Sequence, residues 1–229
     1  MVQMKPNQFL GIVKFFRSEH EGYLDSLISG LFHCQTPETY RMSGLEGVSD
    51  KFESCAFSYR ADRGDEPVSL TINDIEINDA IAITGHNGGQ SDSWLNCWMS
   101  LRLPENNTEL ESLKEGIKIM KGQFGYHYAY ILPNDLPKLI ERLKQHSPKG
   151  MSCGEVVYKE DKNEWGAFCK SPSYAYQREY RFSFGTCSPL EKEPYCFRCP
   201  EGLQDLLHKN PELKIKSKDG KYTWFDLTE

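Results

Sequence analysis

The apolar and polar positions of the chain follow two different periods, which predicts a mixture of strands and helices. Gly11 to Phe16 (GIVKFF) is a short run of β-branched and aromatic side chains, which favours a strand. In the segment YLDSLISG that follows, apolar residues recur at helical spacing, and Gly30 stands where a helix commonly ends. Leu31 to Cys34 then favours a second strand, so the chain opens as strand, helix and strand.

The rest of the chain continues this mixture and is rich in strands. Strands are predicted in CAFSY (55–59), VSLTI (68–72), WLNCWMSLRL (94–103), FGYHYAYIL (124–132), GEVVYKE (154–160) and YRFSF (180–184), and DIEINDAIAIT (74–84) favours one strand or a pair. Helices are predicted over 38–42, 109–120, 135–145 and 200–209. The segment GLEGVSDKFES (44–54) is predicted to be a polar, mobile loop, and LKIKSKDGKYTWFDL to be a hairpin turning at Asp219 and Gly220.

These elements predict an α+β fold of mixed, mostly antiparallel sheets flanked by several helices. The chain has 229 residues and no segment with the composition of a linker, so we expect a single domain over 1–229. Residues 187–229 could be a small C-terminal subdomain or the edge of the same sheet, and the sequence leaves both interpretations open.

Composition narrows the classes of function. No apolar run approaches the ~20 residues that span a bilayer, and the N-terminus lacks the apolar stretch of a signal peptide, so we expect a cytoplasmic protein without membrane contact. The net charge of −6 argues against bulk binding of nucleic acid but leaves a small anionic ligand open. The chain also lacks a phosphate-binding P-loop, a GxSxG elbow and an HExxH motif.

The eight cysteines are scattered along the chain, which favours free thiols over a disulfide framework. Cys196 and Cys199 have the spacing of zinc ligands. However, no second CxxC motif or pair of histidines follows them, so we expect no metal.

The most informative segment is FCKSPSYAYQREYRFSF (168–184), because it places one carboxylate, Glu179, in an aromatic and basic strand. If the whole segment is extended, alternation puts Tyr174, Tyr176, Arg178, Tyr180, Phe182 and Phe184 on one face, and Gln177, Glu179, Arg181 and Ser183 on the other. Such a polar row favours a cleft. The competing interpretation is that Glu179 and Arg181 form a solvated edge or an ion pair across strands.

Several segments together resemble a family of uncharacterised bacterial domains, some of which are encoded near phage-resistance genes. The matching pieces are VKFFR, YLDSLISG, LFHCQTP, VSDKFES, CWMSLR, EVVY and the closing element with Lys170 and REYR. The resemblance covers roughly residues 11 to 184. It departs in the middle, where the family's tryptophan is usually followed by a tyrosine and this chain has Met99, Ser100 and Leu101.

The order of the elements is also similar to that of the ADP-ribosyltransferase fold. This resemblance implies NAD as the cofactor, with Glu179 hydrogen-bonding the nicotinamide ribose and stabilising an oxocarbenium-like transition state. It further implies that Tyr40 or Tyr126 stacks on the nicotinamide ring and that Arg17 holds a phosphate. Lys170 and Arg181 complete the expected cofactor-binding set.

Each of these candidates has a simpler explanation. Arg17 could pair with Glu19 or Glu21, Tyr126 could belong to core or interface packing, and Lys170 could be a surface lysine. Two hypotheses therefore stand. The first is an NAD-dependent ADP-ribosyltransferase or NAD glycohydrolase-like enzyme of phage–bacteria conflict that acts on a macromolecular acceptor. The second is a non-enzymatic protein-interaction module such as an antitoxin, an inhibitor or a phage-defence sensor.

The surroundings of Glu179 discriminate between the two hypotheses. A buried Glu179 beside Arg17 in a deep polar cleft favours the enzyme. A flat, tyrosine-rich patch with Glu179 paired at the surface favours the interaction module.

Overall fold

The structure is a computed structural model that describes residues 7–216, 220–221 and 223–228. The described residues form four α-helices and sixteen strands. The helices are α1 (Glu21–Ile28), α2 (Pro37–Met42), α3 (Asn107–Phe124) and α4 (Leu136–His146). The strands are β1 (Phe9–Phe16), β2 (Leu31–Cys34), β3 (Phe57–Arg60), β4 (Leu70–Ile72), β5 (Ile75–Ile77), β6 (Ala82–Gly85), β7 (Trp94–Arg102), β8 (His127–Ile131), β9 (Met151–Glu155), β10 (Val157–Tyr158), β11 (Cys169–Lys170), β12 (Glu179–Phe184), β13 (Tyr195–Arg198), β14 (Leu207–Lys209), β15 (Lys214–Lys216) and β16 (Thr223–Asp226).

A six-stranded antiparallel sheet with the order β14-β8-β1-β7-β12-β9 forms the centre of the fold. Five two-stranded sheets surround it within the described part of the chain, and of these β10 and β11 pair in parallel. The fold is therefore α+β with mostly antiparallel sheets, as the sequence pattern predicts. None of the described helices has the length and apolarity that crossing a bilayer requires.

Strand alternation divides the hydrophobic core into two clusters, one on each face of the central sheet. Ile12 and Trp98 belong to the cluster covered by α1 and α4, whereas the residues that follow them in the pleat, Val13 and Met99, belong to the cluster covered by α3. The long helix α3 begins at an N-cap, where the Asn106 side chain accepts a hydrogen bond from the Glu109 N–H.

The central sheet parts between β1 and β7. The two strands pair from Phe9↔Arg102 as far as Val13↔Met99, after which β1 continues alone along β8 and β7 runs along β12. The end of β2 meets β7 instead, because Gln35 and Leu95 exchange two backbone hydrogen bonds of 2.8 and 2.7 Å. A cleft therefore opens between residues 14–16 of β1 and residues 94–98 of β7.

The segment 168–184 is not extended throughout, so the alternation expected for an extended segment is present only from Glu179 onward. Pro172–Gln177 forms a 3-10 helix, because the Ser171 side chain caps its first turn and Pro172 suits that position. Arg178 then ends the helix in the left-handed region, with φ of 44°. Tyr174, Tyr176 and Gln177 are therefore not part of the sheet.

The C-terminal part differs from the sequence prediction in one further place. The helix predicted over 200–209 is wrong, because Gly202 has a φ of +76° and the chain then extends as β14 along β8. The predicted hairpin is present as the antiparallel pair of β15 and β16, while Asp219 of its predicted turn lies outside the described residues. Strand β13 pairs with β2, so residues after 187 contribute to sheets begun in the first half of the chain.

Candidate functional site

The cleft between β1 and β7 contains two adjacent cavities. The inner cavity, of about 150 Å³, is lined by Val13, Met99, Glu53, Lys170, Gln177 and Glu179 among others. The outer groove, of about 490 Å³, is lined by Arg17, Tyr23, His33, Gln35, Leu45 and Asn96 among others. Lys14, Phe15, Tyr40, Val48 and Phe124 line both. The parting of the sheet therefore creates a concave, mainly apolar site with a few polar groups, which is the usual character of a ligand site.

Five buried charged side chains form a connected group beside the inner cavity, which three of them (Glu53, Lys170 and Glu179) line, and we call the five the charge cluster. Its members are Asp50, Glu53, Lys170, Glu179 and Arg181, each at most 7% exposed. The carboxylate of Glu179 accepts one hydrogen bond from Lys170 Nζ at 2.8 Å and one from Arg181 Nε at 2.6 Å. Glu53 accepts two from the Arg181 guanidinium, at 2.7 and 3.1 Å. Asp50 lies 3.4 Å from Lys170 Nζ.

The cations of the cluster keep Glu53 and Glu179 ionised. Burial by itself would raise the pKa of Glu179, but Arg181 and Lys170 outweigh it and hold that pKa well below its usual value. The pKa of Glu53 is lowered for the same reason. The pKa of Asp50 is raised instead, by its burial and by the neighbouring Glu53. With three carboxylates against two cations, the cluster carries an excess of negative charge when all its members are ionised.

Glu179 is positioned by the turn that precedes β12. Its N–H donates to the hydroxyl of Tyr158, and the left-handed Arg178 redirects the chain from the 3-10 helix into the strand. Alternation then places Glu179 and Arg181 on one face of β12, with Tyr180 and Phe182 packed in the core on the other.

Asp50 and Glu53 are the site residues that the sequence analysis missed. The loop predicted to be polar and mobile carries both, yet they are only 5% and 2% exposed, because their charges are paired with Lys170 and Arg181. The Asp50 side chain also shapes the loop by accepting a hydrogen bond from the Phe52 N–H. The available signal was the segment VSDKFES, one of the pieces that carries the family resemblance.

Lys14 is a third site residue that the sequence pattern did not reveal. Its Nζ donates to the backbone oxygen of Cys97 at 2.8 Å, across the point where β1 and β7 part, and lies 5.9 Å from the ring centre of Trp98. Among the described residues no carboxylate lies within salt-bridge distance of this amine. Burial therefore lowers its pKa. The signal in the sequence was a lone lysine within the apolar run GIVKFF.

The structure brings most of the predicted site residues to the cleft. Glu179, Lys170 and Arg181 are in direct contact, and Tyr40 lines the inner cavity with them. Burial raises the pKa of Tyr40 well above its usual value, so its phenol stays protonated. Arg17 lies in the outer groove, where its Nε donates to the Gln123 backbone oxygen and no ion pair forms with the described side chains.

Two expectations about the site are corrected. Tyr126 lies outside the cleft and is 66% exposed, because it stands between Gly125, which ends α3, and the first residue of β8, and is not part of the strand. Glu179 is buried beside Arg181 and Lys170 and not beside Arg17, and it is not a solvated edge.

The cysteine pair CFRC does not converge on one point. Cys196 is exposed and its Sγ lies 3.1 Å from His33 Nδ1, whereas Cys199 is buried and its N–H donates to the Gly30 backbone oxygen. Within residues 7–216, 220–221 and 223–228, no group of three or more histidine, cysteine, aspartate or glutamate side chains is arranged to hold a metal ion.

Comparison of the chain with protein-family models, with curated proteins and with solved structures found no match.

Proposed function

We propose that the cleft binds NAD and that the protein breaks the bond between nicotinamide and ribose, transferring ADP-ribose to water or to a macromolecular acceptor. The observation that carries this proposal is the ionised carboxylate of Glu179 in the wall of a concave, mainly apolar cavity. A carboxylate held ionised there stabilises positive charge that develops on a ligand.

The chemistry of the bond suits a cavity whose wall holds an ionised carboxylate. When the C1–N bond breaks, its electron pair neutralises the pyridinium nitrogen of nicotinamide, and the ribose becomes an oxocarbenium-like cation. Glu179 would stabilise that cation electrostatically. A hydroxyl oxygen of water or of the acceptor then bonds to C1, and its proton passes to the solvent.

The two cavities match the two ends of NAD. In the inner cavity, the aromatic rings of Tyr40 and Phe124 suit a planar nicotinamide ring. In the outer groove, Lys14, Arg17 and His33 line the wall without an aspartate or glutamate among the lining residues, which suits a pyrophosphate. The outer groove also has the volume of a typical small-molecule site.

The wider role in this proposal follows the family resemblance. Some of the uncharacterised domains that the chain resembles are encoded near phage-resistance genes, which fits a cytoplasmic role in phage–bacteria conflict, in which the acceptor would be a macromolecule of the phage or of the host. This part of the proposal depends on the segments VKFFR, VSDKFES and REYR.

A separate feature supports the alternative of a protein-interaction module. The hairpin of β4 and β5 pairs only with itself among the described strands, and Ile72 and Ile75 are 51% and 66% exposed. Ile81, just beyond it, is 76% exposed. Isoleucine side chains clustered at the surface are typical of contact surfaces.

Release of nicotinamide from NAD, followed by chromatography, tests the proposal in wild type, Glu179→Gln and Glu155→Gln. Glu179→Gln leaves two carboxylates against two cations in the charge cluster, so we expect this variant to fold, which circular dichroism checks. Glu155 is the matched control, because it forms an ion pair with Arg102 away from the cleft, and its side chain is 40% exposed.

We expect wild type and Glu155→Gln to release nicotinamide at equal rates. We expect a folded Glu179→Gln to release nicotinamide at least about 100-fold more slowly than wild type. Equal rates in all three proteins, or no release by wild type, would refute the proposal. In the second case the interaction module becomes the better account.

A further inference from the structure

Lys14 is a charged side chain whose placement structural needs do not explain. Lys14 lies in β1, and its amine reaches the cleft, whereas the residues on either side of it, Val13 and Phe15, are buried in the core. One hydrogen bond, to the Cys97 backbone oxygen, is its polar contact within the described structure. Desolvating an ammonium group without a carboxylate partner costs free energy, and an apolar residue of similar length would avoid that cost.

The same placement gives Lys14 the properties of a nucleophilic amine. The half-buried side chain lines both cavities, so a ligand in either one can reach its Nζ. The surrounding walls are largely apolar and aromatic, including Trp98, Phe15 and Phe124. Burial lowers the pKa of the amine, which increases the neutral, nucleophilic fraction at a given pH.

We propose that Lys14 is a covalent binding site that forms an imine with a phosphorylated aldehyde in the cleft. This inference goes beyond the cleavage of NAD and does not depend on it. The nitrogen lone pair of Lys14 attacks the carbonyl carbon, a C–N bond forms, and the carbonyl oxygen leaves as water with the two protons of the amine. No oxidant or reductant is needed.

The outer groove defines the class of aldehyde. Arg17 and His33 lie along it, and no acidic side chain is among its lining residues, so a phosphate group is favoured there. The aromatic walls around Lys14 favour a planar or apolar body between the phosphate and the aldehyde. Pyridoxal 5′-phosphate has all three features and serves as a probe, with pyridoxal as the matched probe that lacks the phosphate.

The test is reductive trapping. The protein is incubated with substoichiometric pyridoxal 5′-phosphate and then with borohydride, and peptide mass spectrometry locates the adduct in wild type, Lys14→Met and Lys118→Met. Lys118 is the control, because its side chain on α3 is 81% exposed.

We expect the wild-type adduct to lie mainly on Lys14, to persist in Lys118→Met and to disappear from Lys14→Met. We also expect pyridoxal to label Lys14 at least tenfold less, and Arg17→Gln to reduce labelling by the phosphorylated probe to a similar degree.

Labelling of exposed lysines in wild type with Lys14 unmodified would overturn the proposal. This result is read from the wild-type protein, so it holds even if Lys14→Met fails to fold. Equal labelling of Lys14 by the two probes would overturn the assignment to a phosphorylated ligand.

Discussion

Replacing Arg181 by methionine is the sharpest perturbation of the charge cluster. The Arg181 side chain is fully buried and donates to Glu179, twice to Glu53, and to the Ala167 backbone oxygen. Methionine has a similar length but cannot donate a hydrogen bond. The substitution therefore leaves three buried carboxylates to share one cation, Lys170.

The size of the effect follows from the burial of the two glutamates. Removing one partner of a buried ion pair costs about 3–5 kcal/mol, because the remaining charge is left uncompensated. For a chain of this size the loss corresponds to a melting temperature lower by roughly 6–20 °C. Arg102→Met is the control, since Arg102 pairs with Glu155 at the surface and such pairs contribute about 0–1 kcal/mol.

Denaturant unfolding at neutral pH, followed by circular dichroism, measures both variants against wild type. We expect a loss of about 3–5 kcal/mol in Arg181→Met and of less than about 1 kcal/mol in Arg102→Met. The reasoning would be refuted if the two variants lost the same small amount. That result would mean that the charge cluster is hydrated in solution and not buried.

Three further predictions concern the cleft and its surroundings. The pKa values of Glu53 and Glu179 are lower in the folded state, so the stability that these carboxylates contribute is present above about pH 4.3 and is lost as the pH falls below it. Unfolding curves measured between about pH 3 and 7 would show this loss, and a free energy of unfolding that does not change with pH would contradict it. Gly122→Ala should stabilise α3 by about 0.5–1 kcal/mol. Gly125→Ala should destabilise the protein by at least about 1–3 kcal/mol, because Gly125 has a φ of +95° and an added Cβ would lie 2.4 Å from a backbone oxygen of β1. Equal effects of the two substitutions in thermal melts would contradict this. Lys14→Met should keep or raise the free energy of unfolding in urea, because it removes an ammonium group without a carboxylate partner. A loss above about 1 kcal/mol would contradict this and show that the hydrogen bond from Lys14 to Cys97 holds β1 and β7 together.

Local pattern was enough to predict the elements that alternate cleanly. In β12 the order Glu179 to Phe184 places charges on one face and aromatic rings on the other, and the structure confirms it. The alternation expected just before β12, over residues 172–177, was wrong, because apolar and polar residues alternate there without forming a strand. There the pair Ser171 and Pro172 favours a capped turn over a strand.

The site was harder to predict because it depends on distant pairings. The charges of Asp50 and Glu53 indicate a solvated loop when the sequence alone is considered, and only Lys170 and Arg181, more than 100 residues later, allow them to be buried. The separation of β1 from β7 after Val13↔Met99 likewise depends on how β2 meets β7. The spacing of apolar residues within one strand does not predict such a contact between distant strands.

Calorimetric titration with NAD tests the central claim, that the cleft is a nucleotide site, most directly. It is run on wild type, on Arg17→Gln in the outer groove, and on Arg142→Gln, whose arginine pairs with Asp205 at the surface. We predict saturable binding to wild type and Arg142→Gln, and affinity at least tenfold lower in Arg17→Gln. Absence of binding to wild type, or the same affinity in all three proteins, would contradict the claim.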